Sequence, residues 1–184
     1  MPKLYYLIWM YEKPPPFGSY YVTLSVSGWI DVFTNHAYCE ILIDNLNHCI
    51  DTKNLHVYEY VLMPSFITLI ASSKKKHIST ILREFKNGTA KQVLKSIAEN
   101  PEEKRKEWMM RLFHYYSNRY QQDAEHHFWQ FGNHPVVLDS NELFTHHVST
   151  VVNMPVATRL VDDPHHYFYS SAHPQQRVKL APWQ

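Results

Sequence analysis

Residues 55–72 read LHVYEYVLMPSFITLIAS. Leu55–Met63 is dense in β-branched and aromatic side chains and reads as a strand. Pro64 and Ser65 break it, and Phe66–Ser72 is a second run of the same kind. Successive side chains of a strand point to opposite faces, so Ile67, Leu69 and Ala71 share one face and Phe66, Thr68 and Ile70 the other. Two successive strands of this kind call for a sheet whose faces are covered by helices.

The flanking sequence supplies them. Upstream, Tyr20–Ser27 alternates, with Val22, Leu24 and Val26 on one face, and predicts a first strand. Between it and the second strand, Tyr38–Cys49 carries Ile41, Leu42, Asn45 and Leu46 at helical spacing. Downstream, Ile78, Ile81, Leu82, Phe85, Val93 and Ile97 predict a long amphipathic helix from about His77 to Glu99. Asn100 as cap, Pro101 at the first helical position and Glu102 and Glu103 at the positive dipole end then predict another helix. Trp108, Leu112, Tyr116 and Tyr120 recur every four residues along it and are expected to face the core. A polar joint, Gln121–His127, leads to short apolar pieces at Phe128–Phe131 and Pro135–Leu138. Asp139 or Ser140 caps a last helix, expected to stop near Asn153 because Met154 precedes Pro155.

The predicted order is strand, helix, two strands, long helix, then a further short strand and helix. That is an α+β fold, an antiparallel sheet of ferredoxin-like or split βαβ type with helices packed on it. One domain is expected over residues 1–172, with a loose tail over 173–184. Leu4–Tyr11 is expected to form a leading strand or arm.

The composition bounds the chemistry. The chain has 184 residues, 45% of them apolar, 15% aromatic and 19% charged, a globular balance. No apolar run approaches the roughly 20 residues a membrane-spanning helix needs, and a cytoplasmic protein is expected. Cys39 and Cys49 are too few for a disulfide framework or a CxxC zinc pattern and read as reduced thiols on one helix. Four glycines leave no phosphate-cradling loop. The net charge of +1 conceals an uneven distribution: Lys74–Arg119 holds twelve Lys/Arg against five Glu, and the remainder is acidic. One basic block on an acidic remainder suggests an oriented face for nucleic-acid phosphate. Its expected contacts are Lys74, Lys75, Lys76, Arg83, Lys86, Lys91 and Lys95.

Several segments together resemble the HUH-type single-tyrosine transposases, in the branch of the REP-associated tyrosine transposases. They are Tyr21-Val22-Thr23, Tyr60–Pro64, Ile78–Lys86 (ISTILREFK), Phe128-Trp129-Gln130, Asn153–Val161 (NMPVATRLV), and Asp163-Pro164 followed by Tyr169–Ala172 (YSSA). The resemblance implies cleavage and joining of single-stranded DNA at hairpin-marked ends through a 5′-phosphotyrosine. It also implies two histidines on a central strand holding Mg²⁺ or Mn²⁺, a tyrosine on the last helix and a third ligand one turn beyond it. This sequence departs from that pattern at each chemical position. Phe66 and Thr68 stand where the family has its histidines, Thr150 where it has its tyrosine and Met154 where it has its third ligand. No catalytic residue, no metal and no cofactor is therefore expected, and the resemblance implies single-stranded or hairpin DNA as partner, with a homodimer possible.

Two other readings stand beside this one. A protein-interaction module could have kept the fold and dropped DNA. Alternatively, a metal-dependent DNA-cleaving enzyme could use relocated residues, His146 or His147 with Tyr115, Tyr116 or Tyr167. The adjacent pairs His126-His127, His146-His147 and His165-His166 match no helix-borne metal motif, and thirteen histidines in all read as surface or hydrogen-bonded groups. Trp129 reads as a core anchor. Tyr20, Tyr21, Tyr58 and Tyr60 lie on strands, where they can serve either stacking or packing.

Overall fold

A computed structural model describes residues 18–74 and 77–182. The expected leading arm, Leu4–Tyr11, lies outside the described residues. Strands β1 (Tyr20–Ser25), β2 (Leu55–Met63), β3 (Phe66–Ser73) and β4 (Val136–Val137) form one antiparallel sheet in the order β2-β3-β1-β4. Helices α1 (His36–Lys53), α2 (Ile78–Glu99), α3 (Lys106–Arg119) and α4 (Asn141–Ala157) complete the α+β fold.

The alternation of the strands builds three layers. Val22, Leu24, Ile67, Leu69, Ala71, Val57, Tyr60 and Leu62 face α1 and α2 in one apolar cluster with Leu42, Leu46, Ile81 and Phe85. The other face carries Tyr58, Val61, Met63 and Ile70, which pack with Phe144, Val148 and Val151 of α4. One residue breaks the strict alternation of β2. Val57 pairs with Ala71 and Glu59 with Ile70, so a bulge fits Tyr58 and Glu59 into one step of β3. The bulge buries Glu59, which accepts a short hydrogen bond from the Ser171 hydroxyl.

Strand β2 lies at the sheet edge, where its outer backbone groups need partners. The chain end supplies them. Ser170 bridges Val61, the Leu62 amide donates to the Tyr169 carbonyl, and the Ser171 amide donates to Tyr60. Leu180 bridges Val57, and the Ala181 amide donates to the Val57 carbonyl at 2.7 Å. Val178 is buried, Asn47 bonds both Arg177 and Lys179, and Lys179 pairs with Asp51 at 2.6 Å. The segment from His173 to Pro182, expected to be loose, is therefore packed as the cover of an edge strand.

Other boundaries differ from expectation for local reasons. Asn35 caps α1 by accepting from the Ala37 amide, which starts that helix before Tyr38. The helix expected at Pro101 begins at Lys106. Asn100 accepts from the Glu102 amide instead, and Glu103 accepts from both the backbone and the guanidinium of Arg105, which close turns before the helix. The core face of α3 is Met109, Phe113 and Ser117, one position along from the expected stripe. Trp108 and Tyr120 are exposed, and Leu112 and Tyr116 half-buried. Helix α4 continues through Pro155, whose ring is buried in the last turn. Gly88 sits inside α2, where a Cβ would come within 3.4 Å of the Asn45 side chain on α1. Cys39 and Cys49 are buried free thiols, each raised in pKa chiefly by burial.

Burial pushes the Glu59 carboxyl up to about 7, against a lowering by Ser171. The folded state thus keeps a proton that the unfolded chain loses near its ordinary 4.5. Stability should fall as pH rises from about 4.5 to about 7 and level off above that. Glu59→Gln is expected to flatten this slope, seen as a smaller difference in urea midpoint between pH 5 and pH 8.

Candidate functional site

Two regions carry the polar chemistry. The first is the sheet face beneath α4. Cross-strand pairing sets Thr23 opposite Thr68, and their hydroxyls are 3.0 Å apart. Thr68 is fully buried, so this bond keeps an otherwise orphaned hydroxyl satisfied. Phe66 lies one pleat towards the strand start, opposite Ser25 and Met63, and meets the Trp29 ring edge-on at 5.9 Å. On α4, the Thr150 hydroxyl donates to its own helix at the His146 carbonyl, and Met154 packs into the apolar cluster of that face.

His147 is the polar neighbour that the sequence did not single out from its pair. Its ring stacks on Tyr21 with centroids 4.3 Å apart, and its buried Nδ1 has no hydrogen-bond partner. Burial, then the neighbouring His146, holds its pKa below the ordinary 6.5. His146 itself is exposed. Of the tyrosines considered as relocated nucleophiles, Tyr167 packs against this same cluster, and Tyr115 and Tyr116 lie on α3. The Tyr167 hydroxyl donates to the Leu62 carbonyl and burial pushes its pKa up to about 12, while the Tyr115 oxygen accepts from Arg119 on α3.

These residues do not fit a divalent metal. Phe66 has no donor atom, the Thr68 hydroxyl is bonded to Thr23, and Met154 offers a soft thioether to what is a hard, oxygen-seeking ion. Among the described residues, no group of three or more His, Cys, Asp or Glu side chains is placed to hold a metal.

The second region is a cleft of about 690 Å³ between α2 and the segment around 122–132. Arg83, Lys86 and Lys91 line it from the helix, with Glu125 the acidic residue on the opposite wall. Three of the seven expected phosphate contacts are thus brought together. Arg83 and Lys91 are exposed, as a phosphate contact must be. Lys86 is engaged otherwise: its Nζ donates to the Gln130 carbonyl at 2.6 Å and to Asn133 at 3.1 Å, and burial lowers its pKa. It anchors the far wall. Lys95 is exposed further along α2 beside Glu99, and Lys74 is exposed just beyond β3. Lys75 and Lys76 lie outside the described residues. Trp129 is buried at the cleft floor and donates to the Thr89 hydroxyl, the anchoring role expected of it.

No family model and no curated protein sequence matches the chain. Among solved structures, the REP-associated tyrosine transposase bound to a REP hairpin superposes with a TM-score of 0.61. The match covers 93% of this chain and 86% of that one, at 13% identity. The chain has the fold of a REP-associated tyrosine transposase. That likeness is one of fold, since identity at this level does not carry residue roles across. No helix of the described residues is long and apolar enough to cross a membrane.

The neutral, unpartnered His147 carries a pH consequence. Its folded pKa is depressed, so the unfolded chain binds the proton first and acid favours unfolding below about 6.5. His147→Phe keeps the ring over Tyr21 and removes both the proton site and the orphaned nitrogen. It should be at least as stable at pH 7 and lose less stability between pH 7 and pH 5, measured by chemical denaturation.

Proposed function

We propose that this protein is a transposase-fold DNA-binding protein without the strand-transfer chemistry of that fold. On this reading Phe66, Thr68, Thr150 and Met154 occupy the metal and nucleophile positions, as the sequence resemblance places them. The observation that carries it is the Thr23–Thr68 hydroxyl pair. A central-strand site that would need imidazole ligands is closed by a mutual hydrogen bond, with Phe66 beside it. A phosphodiester there would meet neither a Lewis acid nor an activated hydroxyl, because Thr150 is bonded back to its own helix.

The cleft supports retained DNA binding. Arg83 and Lys91 present unpaired charge, Lys86 holds the cleft wall, and Lys74 and Lys95 extend the basic surface. Such residues grip the backbone without reading bases. The solved relative in fold is bound to a DNA hairpin, which makes a hairpin with a single-stranded flank the first ligand to test. Lys75 and Lys76 belong to the same proposed surface.

Binding to a fluorescent DNA hairpin should weaken steeply with salt, be indifferent to Mg²⁺ or Mn²⁺, and yield no covalent adduct on denaturing gels. Replacing Arg83 and Lys91 together by Ala should lower the slope of log affinity against log salt by about 0.7 per lost contact for a single strand. A metal-dependent protein–DNA adduct would falsify the non-catalytic reading, and no binding at low salt would overturn DNA recognition.

A further inference from the structure

A set of aromatic rings runs from the vacated sheet face to the basic cleft. It begins with Trp29, 58% exposed, set edge-on to Phe66. Trp29 adopts φ +54°, a left-handed conformation unfavourable for a bulky residue, so the fold holds this ring outward at a backbone cost. Gly28, just before it, lies so close to Tyr116 that a Cβ there would sit 2.5 Å from the ring. From Tyr116 the rings continue. Tyr116 stacks with Tyr120 at 6.2 Å, Tyr120 meets Phe131 at 5.1 Å, and Phe131 meets His127 at 4.3 Å. His127 and Phe131 already line the cleft with Arg83, Lys86 and Lys91.

Ordinary packing does not account for this set. Tyr120 is 40% exposed and Phe131 55%, although the core face of α3 lies one position away at Met109, Phe113 and Ser117. The rings are also anchored. Gln130 bonds the β1 end through its amide and the Val26 carbonyl through its side chain, and Lys86 ties down Gln130 and Asn133. Arg119 donates to Tyr115 on the same helix, and Arg83, Lys86 and Lys91 line the cleft with His127 and Phe131. The exposed rings of Trp29, Tyr120 and Phe131, with cations nearby, complement a strand that offers unpaired bases and phosphates together.

We infer that Trp29, Tyr116, Tyr120 and Phe131 form a stacking track for the unpaired bases of a single-stranded DNA segment whose phosphates lie in the adjoining basic cleft. The inference rests on the DNA-binding reading above and names the part of the ligand that this surface selects. Duplex DNA buries its base faces and gives the track nothing to stack on. The track accounts for the outward placement of the rings, which a purely electrostatic grip leaves unused.

The test compares two hairpins that differ only in a flanking single strand, thymidines in one and abasic residues in the other. Each is titrated with the full chain at several salt concentrations. The thymidine flank is expected to bind on the order of tenfold more tightly per ring engaged, with the same salt slope for both. Tyr120→Ala and Phe131→Ala should each remove about that factor for the thymidine flank and leave the abasic hairpin unchanged. Both side chains are exposed, so both variants should fold, which far-UV circular dichroism checks. Equal, salt-sensitive binding of the two hairpins overturns the track and leaves the DNA-binding reading standing. Blank titrations with both at low salt overturn that reading and the track together. A change of oligomeric state in either variant, with DNA affinity unchanged, would assign the rings to a contact between copies of this chain and overturn the track.

Discussion

Strand β3 is buried on both faces and hydrogen-bonded on both edges, and that confinement governs what its residues can be. A polar group on such a strand must find its partner inside the protein, since an unsatisfied buried hydroxyl costs about 1–3 kcal/mol. Thr68 solves the problem with Thr23, a residue of similar size at the same register on β1. One hydroxyl donates to the other, so each has a partner inside the protein. A ligand set at the same place needs the opposite arrangement, with donor atoms aimed away from the sheet and held by outer partners. Packing and metal chemistry are therefore alternatives at this position.

The edge of the sheet imposes a second constraint. β2 is buried along nearly its whole length, yet it has a neighbouring strand on one side only. Tyr169–Ser171 and Leu180–Ala181 occupy the other side in two short pieces. The bulge at Tyr58 and Glu59 joins these features. It restores the inward direction of Tyr60 after an extra residue, and it brings the Glu59 carboxyl to Ser171 in the covering segment. A buried carboxyl is tolerated there because a hydroxyl bonds it and because it can hold its proton.

The strands were legible because period-two alternation is strong when one face meets a dense core, as at Ile67, Leu69 and Ala71. The long helix was legible for the same reason at period 3.6. The chain end was not, because its contacts are isolated backbone bonds and single side chains such as Val178, which leave no periodic trace. Helix α3 offered two stripes, Trp108-Leu112-Tyr116-Tyr120 and Met109-Phe113-Ser117. The first is the more hydrophobic by composition, and the second is the one that enters the core, with Phe113 against Phe128. A shift of one residue turns a helix by about 100°, so the expected stripe sets the exposed Trp108 and Tyr120 and the half-buried Leu112 and Tyr116 where the core face lies. In the basic block, the charge of Lys86 was legible, but its bonds to Gln130 and Asn133 depend on a segment 44 residues away. The stack of His147 on Tyr21 was hidden in the same way, since adjacent histidines look alike until a strand is laid against one of them.

On the proposed reading, charge and stacking divide the work of recognition between them. Arg83 and Lys91 attract phosphate wherever it occurs, and duplex and single strand both carry it, so charge alone cannot separate the two. Discrimination has to come from a feature that only one of them offers. Unpaired bases expose their faces, and a line of rings held outward by the strained backbone of Trp29 and by the Lys86 anchor is complementary to those faces alone. The rings also lie beside the closed Thr23–Thr68 site, reaching it through Phe66. A surface of this kind depends on none of Phe66, Thr68, Thr150 and Met154. On the proposed reading, selectivity for single strands does not depend on cleavage, because the groups that would bind and the groups that would react occupy different elements of the fold.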